Sequence, residues 1–120
     1  MLSSSLREKR HYLALELLSE ASLSQDQARN ALQSAVKDFL GSAEAGTAGM
    51  QIIELKPLKE KGGKKYGLFV MRGILSINRK KVLKTRAALS LISEIGGKKA
   101  SCTVLGVSGT LRALREKFLK

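Results

Sequence analysis

Residues 104–120 read VLGVSGTLRALREKFLK. A strand-like apolar run stops at Ser108, Gly109 and Thr110, and Arg112, Arg115 and Lys117 follow at helical spacing. A hydroxyl at the start of a helix accepts one of that helix's spare N–H groups. The remaining N–H groups of the first turn, with an arginine beside them, can hold an anion such as a phosphate. The turn is either a cap alone or a cap that also receives a phosphate, and the sequence leaves both readings open.

Covalent chemistry has less support. The chain holds one His and one Cys, far apart. His11 lies beside Arg10 in a strand-like stretch and reads as a structural or surface imidazole. Acidic residues are scarce in the basic half, so neither a paired-carboxylate site nor a two-metal nuclease site is expected. GVSGT lacks the Gly-Lys-Ser/Thr of a nucleotide-binding loop. Gly106, Ser108 and Gly109 also miss the spacing of a nucleophile elbow. A lone Cys102 excludes an internal disulfide and a cysteine metal site, and it reads as a small core residue. The expectation is a chain with no active site, no metal and no cofactor of its own.

Charge points to a binding role. The net charge is +12 and is placed unevenly. Residues 1–55 hold five Lys/Arg and seven Asp/Glu, whereas residues 56–120 hold seventeen and three. A field of one sign destabilises a compact chain, so a polyanionic partner is the natural use for it. Nucleic acid is the first candidate. No segment combines a basic face with the broad apolar face of a membrane-surface helix. No apolar run approaches the eighteen or so residues that span a bilayer. The N-terminal stretch has charges before an apolar run but carries Glu16 and lacks a small-residue cleavage site, so it reads as a strand of a cytoplasmic protein.

These charges need elements to position them. At 120 residues the chain is expected to form one domain, with 1–7 as a flexible lead and 57–66 as a basic hairpin loop. RHYLALEL (10–17) alternates, which predicts a strand with Leu13, Leu15 and Leu17 on one face. Ser24 and Gln27 form a capping box before a helix whose Ala28, Leu32, Ala35, Val36 and Phe39 share one face. Gly41 stops that helix, and GSAEAGTAG reads as a loop. MQIIELK is a second strand. The hairpin PLKEKGGKKYG follows, and with Lys56 it brings five lysines together. LFVMRGILSIN is a long strand, with Gly73 as a bulge or bend. Asn78 caps a helix predicted over 79–95 and stopped by Gly96-Gly97. Its buried face is read as Val82, Thr85, Ala88, Leu89, Leu91, Ile92 and Ile95. Arg79, Lys80, Lys81 and Lys84 crowd its first turns, against the helix dipole, which a nearby phosphate would relieve. KASCTVLGV is a fourth strand. The last helix carries Leu111, Leu114 and Phe118 on one side.

The order β-α-β-β-α-β with an extra C-terminal helix predicts an α+β fold. It is the ferredoxin-like, RRM-like sandwich, with a four-stranded antiparallel sheet and two helices on one face. If Leu13 and Leu15 face the helices, then Tyr12, Ala14, Ile52, Ile74, Cys102 and Val104 face the other way. Such an apolar face needs covering, by the last helix and by a protein partner. Of these, Tyr12, Ile52, Ile74 and Val104 are the expected partner contacts. Aromatics are only 4% of the chain, which disfavours base stacking and favours recognition of folded RNA by shape and phosphate contacts.

Four stretches carry a resemblance: LREKRHYLALELLSE, RGILSINRKKV, RAALSLISEIGGKKA and VLGVSGTLRALREKFL. With the first helix between them, they resemble the small RRM-like protein subunit family of archaeal and eukaryotic ribonuclease P, protein component 2 in archaea. His11 departs from a usual Arg or Lys, and the hairpin of 56–71 is longer than the family norm. The resemblance implies a subunit of the ribonucleoprotein that removes the 5′ leader of precursor tRNA. There the RNA carries the active site and uses Mg²⁺. The implied partners are ribonuclease P RNA and the larger TIM-barrel-like subunit, component 3, with self-association within a heterotetramer. Precursor tRNA would be met only indirectly. Candidate RNA contacts are Lys9, Arg10, Arg79, Lys80, Lys81, Lys84, Arg86, Arg112 and Arg115, with the Ser108-Gly109-Thr110 turn. Two rivals are a general structured-RNA-binding or ribosomal protein of this fold and a small homo-oligomeric ferredoxin-like protein.

Overall fold

The computed structural model describes residues 9–58, 64–65 and 67–118. The expected flexible lead and most of the basic loop 57–66 lie outside the described residues.

The alternating stretch forms the central strand β1, Arg10–Ser19. It pairs antiparallel on one side with β4, Leu68–Asn78, and on the other with β6, Lys98–Ser108. Strand β2, Gln51–Pro57, lies outside β4, and the short β5, Glu94–Ile95, lies outside β6. A two-residue strand β3, Lys64–Lys65, pairs with the start of β4. The α+β class and antiparallel sheet are as expected. The sheet of four strands is corrected to four long strands with two short ones added at its margins.

Helix α1, Gln25–Leu40, starts where the capping box predicts. Ser24 Oγ accepts from Gln27 N at 3.1 Å, and Ser24 N donates to Gln27 Oε1 at 3.0 Å. Gly41, at φ 82°, ends it. The expected loop after Gly41 is instead a second helix, α2, Ser42–Ala48. Its alanines favour helix, and Ala48 is fully buried, so docking holds what local propensity only permits.

Asn78 Oδ1 accepts from Lys80 N at 3.0 Å and starts a 3₁₀ turn, Arg79–Lys81, that leads into α3, Val82–Ser90. The predicted helix is therefore shorter at its end. Gly96 and Gly97, at φ 61° and 81°, do not stop a helix; they turn the β5–β6 hairpin. Two successive positive φ values suit the tight hairpin turn that matches strand twist. Ile95 is buried from this hairpin, while Leu91 is 65% exposed.

One face of the sheet holds the main core. Leu13, Leu15 and Leu17 of β1 meet Ala28, Leu32 and Val36 of α1 and Ala88 and Leu89 of α3. The last helix α4, Leu111–Phe118, lies on the opposite face, where Leu114 packs with Ala14 and Ile74.

This layering corrects the expectation that Tyr12, Ile52, Ile74, Cys102 and Val104 share one face of the sheet. Ile74 is fully buried beneath α4, and Tyr12 is partly buried beside it. Ile52, Cys102 and Val104 belong to the helix-side core. The reason is a pair of bulges. The register against β1 slips between Ala14 and Leu15, so Val104 faces Leu15 and Gly106 faces Ala14. The register of β2 slips at Ile53 in the same way. One extra residue reverses the alternation downstream of it. The bulge predicted at Gly73 thus lies in β2 instead, at Ile53 opposite the Ile74–Leu75 step. Gly73 makes room for it: a Cβ there would sit 2.5 Å from Glu54 O and 2.6 Å from Leu55 Cδ2.

Candidate nucleic-acid interface

Three strand ends meet at one edge of the molecule. β1 begins there, while β4 and β6 end there. Arg79 N donates to Lys9 O at 3.0 Å, and Tyr12 pairs with both Ser76 and Ser108. Strands sit about 4.8 Å apart, so β4 and β6 are about 10 Å from each other across β1. Lys9, Arg79, Lys80, Lys81 and the Ser108-Gly109-Thr110 turn therefore gather at one end of the sheet. Sequence alone separated them by as many as a hundred residues.

The turn is built as a cap. Thr110 Oγ1 accepts from Ala113 N at 3.2 Å, and Thr110 N donates to Ser108 Oγ at 3.3 Å. Ser108 thus holds the N–H of Thr110, one of the N–H groups at this turn that could otherwise face an anion.

The cations divide into two groups. Arg10 is a structural tether. Its Nε donates to Ser76 Oγ at 2.9 Å, and its Nη2 donates to Ser76 O at 3.1 Å and to Gly49 O. It fastens the end of α2 to β4. Lys81 Nζ and Lys84 Nζ both meet Glu44 Oε1, at 2.9 and 2.6 Å. Hydrogen bonds from Lys84 and then Lys81 hold the Glu44 carboxyl below its ordinary range. Arg115 Nη1 lies 2.6 Å from Glu54 Oε1 and pins α4 across to β2. That approach is too bent for a hydrogen bond, so the contact is a Coulombic one. Arg112 pairs loosely with Glu116 one turn on, at 3.3 Å, and stays 91% exposed. The exposed side chains of Lys9, Arg79, Lys80 and Arg86 make no ion pair or hydrogen bond among the described residues.

Among the described residues, the sheet offers no aromatic platform on the α4 face. Phe69 packs with the helix-side core, and Tyr12 leans on the α4 cluster. What this surface can do is hold phosphates by charge.

A second surface escaped the sequence reading. Between α1 and α3 runs a groove of about 530 Å³, floored by Ala31, Ser34, Ala35 and Ala88 and flanked by Phe39, Leu91 and Ile92. Phe39 was expected in the core and is 45% exposed. Small side chains along the helix–helix seam leave it short of partners. Among the described residues, the charged ones lining the groove are Asp38 and Glu94. The missed signal was the row of alanines, which lie on the apolar face but cannot fill it.

A family model described as the Rpp14/Pop5 family matches residues 11–119. The chain belongs to this family. Rpp14/Pop5 relatives extend the likeness over almost all of its length. It is 34% identical to ribonuclease P protein component 2 of Methanosarcina mazei, over 97% of this chain and 89% of the relative. It is 36% identical to the protein of that name from Pyrococcus furiosus, over 95% of this chain and 86% of the relative. The component 2 of Thermococcus gammatolerans is 34% identical, over 95% and 86%. The resemblance stated from four sequence stretches is thus a membership that includes the first helix and the hairpin region between them.

Proposed function

We propose that this chain is a protein subunit of ribonuclease P, the ribonucleoprotein that removes the 5′ leader of precursor tRNA. The observation that carries the reading is the family match across residues 11–119, with archaeal relatives named as ribonuclease P protein component 2. The geometry supports it. We read the strand order β2-β4-β1-β6, with α1 and α3 on one face, as the ferredoxin-like, RRM-like sandwich. Its basic end, led by Lys9, Arg79 and Lys80, binds the catalytic domain of the RNA together with the exposed Arg86 of α3. These cations lower the repulsion between close RNA strands and so reduce the Mg²⁺ needed to fold them. Hydrolysis and the metal ions belong to the RNA, in the cytoplasm.

The larger protein partner, component 3, docks in the groove between α1 and α3 rather than on the sheet face. An apolar groove rimmed by Asp38 and Glu94 repels RNA and suits an apolar segment with basic flanks. The sheet face first assigned to the partner is taken up by α4 and by the core.

The test is precursor-tRNA cleavage at low Mg²⁺ by in vitro transcribed ribonuclease P RNA of Methanosarcina mazei. Cleavage should require both this chain and a component 3 protein. If both proteins are folded and bound to each other and cleavage is not restored, the subunit reading is wrong.

A further inference from the structure

We propose that Glu44 occupies the seat of an RNA phosphate in the free protein and that RNA displaces it from Lys81 and Lys84. The inference rests on the RNA-binding reading above and names a residue that regulates it.

The geometry is that of a held anion. Two ammonium groups converge on a single oxygen, Glu44 Oε1, at 2.9 and 2.6 Å. A phosphate oxygen bound by two lysines would present the same face to them. The site is open to exchange, because Lys84 is 56% exposed and the Glu44 side chain 29%. Arg79 and Lys80 precede the pair on the same turn with their side chains in solvent. Among the described residues, Glu44 is the one acidic side chain paired with this basic strip.

The contact is also dispensable for the fold. α2 is anchored at its other end by the buried Ala48 and by Arg10 on Gly49 O. Among the described residues no side chain caps α2 at its start, and Glu44 instead meets Lys81 and Lys84, 37 and 40 residues away. Its carboxyl stays ionised at neutral pH, so the seat is filled until a stronger polyanion arrives.

A consequence follows for selectivity. An RNA that offers one isolated phosphate swaps one anion for another and gains little. An RNA that places several phosphates along Arg79, Lys80, Lys81 and Lys84 outcompetes a single carboxylate. Glu44 thus suppresses binding to sparse anions more than binding to dense, folded RNA.

The test compares the full chain with Glu44→Gln on in vitro transcribed Methanosarcina mazei ribonuclease P RNA, over a KCl series. Glu44→Gln should bind about 3- to 10-fold more tightly at 0.15 M salt. Its log K against log salt should steepen by roughly one unit, the share of about one extra phosphate contact. The same substitution in a Lys81→Gln/Lys84→Gln background should change neither affinity nor slope. An equal gain in that background would mean that Glu44 acts as a distant charge, and the proposal falls. Weaker binding by Glu44→Gln would make Glu44 a support for the lysines, and the proposal again falls. If the wild-type chain binds no RNA, the RNA-binding reading fails and takes this one with it.

Discussion

Gly106 shows how closely α4 is fitted to the sheet. It lies opposite Ala14 on β1, directly beneath the ring of Phe118, and a Cβ built on it would overlap three ring carbons. Its backbone is not in the left-handed region, so space alone excludes a side chain. Gly106→Ala must therefore push Phe118 away. Phe118 is partly buried at the last described turn, so the ring can swing outward and take its own contacts with it. Overpacking of this kind costs about 1–3 kcal/mol. Alanine returns about 0.4–1 kcal/mol by restricting the unfolded chain. The expected net loss is about 1–2 kcal/mol by urea unfolding, with faster amide exchange in α4 and unchanged exchange in β1. The deciding measurement is the double-mutant cycle. In a Phe118→Ala background, Gly106→Ala should be neutral or slightly stabilising, a coupling of about 1–2 kcal/mol. Distant sites add to within about 0.5 kcal/mol. If the two substitutions add within that margin, Phe118 does not sit on Gly106 and the placement of α4 is wrong.

Three further outcomes follow from buried groups. Thr85 Oγ1 is fully buried without a hydrogen-bond partner among the described residues, so Thr85→Val should raise stability by about 1 kcal/mol in urea unfolding. Burial pushes the Cys102 thiol from 9.0 up to about 12. Its protonated form is favoured by folding, so this contribution is intact below pH 9 and is lost as pH rises from 9 to 12. The loss is about 1.4 kcal/mol per pH unit, and Cys102→Ala should flatten that part of the stability curve. Gly73→Ala should cost about 1–3 kcal/mol, because the group it meets is the backbone carbonyl of Glu54. An unchanged urea midpoint would mean that the β2 bulge lies elsewhere.

Much of the fold could be read from local signals because those signals are short-range. The alternation of Leu13, Leu15 and Leu17, the Ser24–Gln27 box and the Asn78 cap all act within four residues, and all stand in the structure. The errors share a different cause. A bulge changes no composition, so nothing in IIELK or TVLGV announces that Ile52 and Val104 turn toward the helices. Gly96-Gly97 supplies positive φ, which both a helix stop and a hairpin turn require; the deciding fact is that Ile95 finds its burial from a strand. α2 depends on the docking of Ala48, a tertiary event. The candidate site was legible as charge but not as pairing. Arg10 reaches Ser76 and Gly49, and Lys81 reaches Glu44, contacts separated by 37 to 66 residues.

That pairing bears on how RNA binding should depend on salt. Nine cations were candidates by position and charge. Each duplex phosphate neutralised contributes a slope of roughly 0.9, so nine contacts would give about 8. Arg10 and Arg115 already hold Gly49, Ser76 and Glu54, and Arg112 is shared with Glu116. Lys81 and Lys84 exchange one anion for another when Glu44 leaves, which releases little counterion. Lys9, Arg79, Lys80 and Arg86 remain, and four contacts give a slope of about 4. Filter binding or anisotropy over a KCl series reads this directly. Replacing Arg79 and Lys80 by Gln should flatten the slope by roughly 2, whereas replacing Arg112 and Arg115 should move it by less than 1. A wild-type slope near 8, lowered equally by either pair, would mean that RNA breaks the internal pairs, and the division of the cations drawn from their partners would be wrong.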